Sequence, residues 1–144
     1  MHLLTVILGA ALLAPGLAAA DLSGIWMGQV PGRRGSSTDI SFQFLQDGGA
    51  LAGKLYEDFG STPLVEGLID GEQVTFVVVA REQAGNQINL VTYRYEGRVI
   101  DGDLELTRER TKAVDAVSGA EFPINERRND DNREPPKIRL KRLL

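Results

Sequence analysis

The sequence predicts an all-β fold: one antiparallel, up-and-down barrel of eight strands. Three observations lead there. From residue 24 onward, apolar and polar residues alternate with period two, the pattern of strands with one buried face. Three Asp-Gly pairs, in QDGGA at 46–50, IDGEQ at 69–73 and IDGDL at 100–104, suit the left-handed positions of tight hairpin turns. No stretch of the mature chain carries a convincing helical period.

The strands follow in order. The first is short, Gly24 to Val30. Asp39 to Gln46 sets Ile40, Phe42 and Phe44 against Ser41 and Gln43. ALAGKLYED then opposes Leu51, Gly53 and Leu55 to Lys54 and Tyr56. In TPLVEGLID, Pro63 suits a strand entry or an edge. QVTFVVVA turns Val74, Phe76 and Val78 one way. NQINLVTYRYEGRVI is the longest run, with Val91, Tyr93 and Tyr95 opposing Thr92, Arg94 and Glu96. DLELTRER alternates Leu104 and Leu106 with Asp103 and Glu105, and KIRLKRL alternates Ile138 and Leu140 with Arg139 and Lys141.

The Asp-Gly turns join strands two and three, four and five, and six and seven. PGRRGSS, DFGS, REQAG and the long polar stretch 111–136 read as looser loops. In a meander, alternate connections share an end, so the tight turns are expected at one end and the loose loops at the other. This arrangement favours a small closed barrel. GLIDGEQVTF and GRVIDGDLEL are two copies of the same hairpin corner. The outward set, including Ser41, Gln43, Lys54, Thr75, Arg94, Glu96 and Glu105, lacks the apolar band of a membrane barrel. A soluble protein is expected. The 111–136 loop, almost purely polar from Asn125, is expected to be functional or disordered.

Residues 1–20 read as a signal peptide. An apolar run from Leu3 to Leu17 is broken by Pro15 and Gly16 and followed by Ala18, Ala19 and Ala20. A single mature domain at 21–144, periplasmic or secreted, is the expectation. The chain has no cysteine, and its one histidine, His2, lies in the leader. His- or Cys-based metal sites, His general bases and Ser-His-Asp triads are thereby removed, and no calcium-loop spacing is present. No metal and no cofactor are expected. A net charge of −4 argues against nucleic acid or an anionic membrane as the main partner.

SGIWMG resembles the glycine-x-tryptophan motif that opens the first strand of lipocalins and the wider calycin group. That resemblance implies an eight-stranded barrel whose tryptophan plugs one end, with a basic residue of the last strand packed over the ring. Carried onto this chain, it makes Gly24, Trp26 and Arg142 a structural plug. Arg142 shares the inward parity of Ile138 and Leu140. DGGALAGKLYE is similar to the second and third strands of avidins. Those proteins line their biotin site with several tryptophans, whereas this chain has one, so biotin binding is not carried over.

No nucleophile–base pair stands out, so no enzymatic activity is expected. The expected function is binding of a hydrophobic or amphipathic small molecule. The candidate lining is Phe42, Phe44, Phe76, Tyr93 and Tyr95, and the candidate rim arginines are Arg33, Arg34 and Arg81. Two alternatives stay open: an interaction or inhibitor module, and a structural domain whose barrel is filled by the same aromatic side chains.

Overall fold

The computed structural model describes residues 21–124 and 135–143. The leader at 1–20 and the stretch 125–134 of the expected loop lie outside the described residues. So do the expectations placed on them.

Eight strands run in sequence: β1 Gly24–Pro31, β2 Ser37–Asp47, β3 Ala50–Glu57, β4 Gly60–Asp70, β5 Gln73–Ala84, β6 Gln87–Ile100, β7 Asp103–Asp115 and β8 Ile138–Arg142. Each pairs antiparallel with its sequence neighbours, and β8 returns to β1, closing the barrel. Among the described residues, the one helical element is a 3-10 turn at Arg33–Gly35. No helix among them is long and apolar enough to cross a membrane.

The period-two alternation becomes an inside and an outside. Trp26, Phe42, Phe44, Leu55, Val74, Phe76, Val78, Val91, Tyr95, Leu104, Leu106, Ile138 and Leu140 all point inward into one apolar core. The outer face is mixed. Leu45, Val65 and Leu68 are exposed there beside the polar residues.

The turn chemistry follows from backbone sterics. Asp101 (φ 52°) and Gly102 (φ 80°) are both left-handed, as the two-residue turn between β6 and β7 requires. Gly53 adopts φ 137° where β3 passes close to β2. A Cβ at Gly53 would run into the Gln43 carbonyl.

Two expectations about connections are corrected. REQAG and DFGS are not loose. β5 runs on through Ala84 and β3 to Glu57, leaving two-residue connections at 85–86 and 58–59. Tight turns therefore occur at both ends of the barrel. Likewise the first five residues of the expected 111–136 loop belong to β7. In both cases alternation continues through charged side chains, since a strand nearing the solvent-exposed end of a barrel no longer needs apolar inward residues. Beyond β7 the chain folds back: Glu121 bridges to Val114, and the Phe122 N–H donates to the Ala113 carbonyl at 2.9 Å.

β8 is short. It pairs with β7 only at Leu104–Leu106 and with β1 only at Trp26–Gln29. It completes only the half of the wall nearest Trp26.

Candidate binding site at the barrel mouth

The base of the barrel is sealed first. Trp26 is 1% exposed, and its indole N–H donates to the Leu22 carbonyl at 2.8 Å. Arg142 is its register partner on β8, and the guanidinium carbon lies 4.8 Å from the ring centroid. Arg142 also donates to the Asp21 carbonyl. Leu22 N–H donates to Gln46 Oε1 at 2.8 Å, and Gln46 N–H donates to Ser23 Oγ at 3.0 Å. The three residues before β1 are thus strapped across the base.

Above this plug the interior is occupied by rings in mutual contact. Trp26 meets Phe44 at 6.4 Å between centroids, and Phe44 stacks on Phe42 at 5.3 Å. Phe42 meets Phe76 edge-on at 5.5 Å, and Phe76 stacks on Tyr95 at 4.8 Å. Phe42 on β2 also touches Tyr95 on β6, 5.6 Å away and across the barrel. Opposite walls meet here. Of the candidate lining, Phe42, Phe44, Phe76 and Tyr95 fill this level of the barrel.

Further up, toward the connections 32–36, 58–59 and 85–86, the interior changes character. Val30, Ile40, Leu55, Leu64, Ala80, Tyr93 and Ala113 keep 6–9% exposure, against 0–1% for Trp26, Phe42, Phe44, Phe76 and Tyr95 below. Together these mostly aliphatic side chains form the partly exposed, shallow apolar vestibule of the mouth.

Its polar wall comes from β5, β6 and β7. Tyr93 pairs with Arg110 in register, and Tyr95 with Arg108. The parity of Leu104 and Leu106 continues through Arg108 and Arg110, which brings both arginines to the inner side. The Arg108 guanidinium carbon sits 4.4 Å from the Tyr93 ring centroid. Glu82 accepts a hydrogen bond from the Tyr93 hydroxyl and one from Arg110 at 3.2 Å. Among the described residues Arg108 has no carboxylate partner. Nearby, Glu57 accepts from Thr62 Oγ1 at 2.8 Å and from the Arg81 N–H at 3.3 Å.

The electrostatics follow the contacts. Burial, and then the hydrogen bond to Glu82, push the Tyr93 hydroxyl up to about 12. Burial also raises Tyr95, against the pull of Arg108. Both hydroxyls stay neutral at ordinary pH and act as hydrogen-bonding groups. Among the described residues no His, Cys, Asp and Glu gather with metal-ligand geometry.

Arg33 and Arg34 lie on the exposed 3-10 turn at the mouth end, and Arg81 points outward from β5. They do not converge with the tyrosines. Arg108, Arg110 and Glu82 do, and reading by residue composition passed over them. The signal that finds them is positional: in LELTRER, arginines occupy the places where leucines stood.

No family model, curated protein or solved structure matches the chain.

Proposed function

We propose that this chain is an exported, non-enzymatic binding protein of calycin-like build, and that its ligand is a small amphipathic anion held at the mouth. The observation that carries this reading is Arg108, an inward arginine without a carboxylate partner among the described residues, set beside Tyr93 at the edge of a shallow apolar vestibule. A ligand carboxylate meets Arg108, since the Tyr93 hydroxyl already donates its proton to Glu82. A short apolar body lies against Val30, Ile40, Leu64 and Ala80. A guanidinium in a partly desolvated setting is well suited to a carboxylate. The ring stack below leaves no lumen for a long tail.

The test is calorimetric titration of the mature chain with straight-chain carboxylates from butanoate to dodecanoate. Affinity rises over the shortest members and then levels off, because the core sets the depth. Arg108→Gln weakens binding roughly tenfold or more, the scale of one hydrogen bond to a charged group. Affinity that climbs steadily to dodecanoate would contradict the filled core. No binding across the series would leave the second reading, a barrel filled as a scaffold for interactions, which the cross-barrel Phe42–Tyr95 contact favours. An inhibitor that presents its N-terminal segment gains no support, since Asp21 to Ser23 are tied to the base.

A further inference from the structure

A second feature lies outside the barrel, on the wall where β1 and β8 part. Their pairing stops at Gln29 and Arg139. Beyond that point Pro31 and the 32–37 turn diverge from Lys137, and a groove of about 650 Å³ opens between them. That size falls among small-ligand clefts, roughly 300–1,000 Å³.

Three kinds of group line it. Arg139 and Lys141 alternate along the outer face of β8, about 7 Å apart as strand geometry sets, and Lys137 immediately precedes the strand. Arg139 is held in place by Asp103 at 3.1 Å and Glu105 at 3.4 Å, and Lys137 lies 3.5 Å from Glu105. Among the described residues Lys141 pairs with no carboxylate. The opposite bank carries Gln29, Ser36, Ser37 and the turn at Gly32 and Gly35; the Ser36 hydroxyl donates to the Arg33 carbonyl at 2.6 Å and the Ser37 hydroxyl to Gln29 Oε1 at 3.4 Å, which leaves their oxygens as acceptors for ligand hydroxyls. Met27 and Pro31 add apolar patches. The acidic neighbours are Asp103 and Glu105 on β7 and Asp39 on β2, the last accepting from Gln29 at 3.2 Å.

We propose that this groove binds a linear acidic glycan, a chain of sugars bearing carboxylate or sulfate groups. The spaced cations meet the anionic groups. The serines, the glutamine and the turn backbone meet ring hydroxyls, and Met27 and Pro31 lie against the C–H faces of the rings. A bare polyanion uses only the cations. A neutral sugar uses only the rest.

Glycan binding is tested on the mature chain with oligogalacturonate, dextran sulfate, neutral dextran and inorganic polyphosphate, each in low and moderate salt. Oligogalacturonate or dextran sulfate binds, and the carboxylate and sulfate arms identify which anion is preferred. Neutral dextran does not bind, and polyphosphate binds at least about tenfold more weakly than the better glycan. Lys137→Gln with Lys141→Gln weakens glycan binding roughly tenfold, on the scale of hydrogen bonds to charged groups. Both side chains are exposed, so the fold tolerates the change, which an unaltered circular dichroism spectrum checks. Arg108→Gln leaves glycan binding unchanged, which separates this groove from the mouth. The proposal is overturned if neither acidic glycan binds, if polyphosphate binds as well as they do, or if the double variant binds as tightly as the parent.

Discussion

Trp26 and Arg142 each have more than one task, and their substitutions separate the tasks. Trp26→Ala removes a fully buried ring and should destabilise the domain by about 3–5 kcal/mol in urea unfolding. Arg142→Ala loses a cation–π contact of roughly 0.5–2 kcal/mol and the bond to Asp21. Its effect should be smaller. The two losses should be non-additive in a double-mutant cycle, because the side chains touch. Tyr93 gives a second readout. Its folded value is about 12, above its ordinary 10.0. Between those values the unfolded chain has released the proton and the native chain still holds it. Tyr93 thus contributes stability that is fully present below pH 10 and is lost as pH rises toward 12. Ultraviolet titration should show Tyr93 ionising near 12, and Glu82→Gln should move it downward. Burial, the larger cause, should keep it above 10.0.

At the scale of the element, the strands were legible because alternation is a direct consequence of a sheet with one wet face. The Asp101–Gly102 turn was legible too, since few residue pairs accept two left-handed positions. The strand ends were not. Arg81 and Glu82 read as loop by their polarity, yet they continue β5, and Glu82 points toward Tyr93. Arg108 and Arg110 hid the inner wall of the mouth in the same way. Alternation tells which side a residue faces; it does not tell where the core stops and water begins. Gly53 supplies the prediction at this scale. Gly53→Ala places a methyl against the Gln43 carbonyl at a backbone angle that alanine avoids. It should destabilise by more than about 1 kcal/mol, measured by thermal unfolding with the far-ultraviolet spectrum retained.

For the whole molecule, the barrel divides into a filled lower part and a mouth with exposed chemistry. Phe42→Ala should open a cavity in the lower part and cost about 3–5 kcal/mol, while leaving carboxylate binding at the mouth within a few-fold of the parent. Export is tested separately: intact mass of protein recovered from outside the cytoplasm should fit a chain beginning at Asp21. Full-length protein retained in the cytoplasm would contradict it.

The contact that joins the residues before β1 to β8 also sets a schedule. Asp21 and Arg142 are 121 positions apart in sequence, so the ring is completed by partners drawn from the two extremes of the domain. A seam of such long range is slow to form, since the intervening chain must be ordered before the seam returns any stability. While β8 is still being made, β1 lacks one neighbour and Trp26 lacks its cover. Under the proposed export, that order of events would keep the chain pliable through translocation and lock it only after its last strand had crossed.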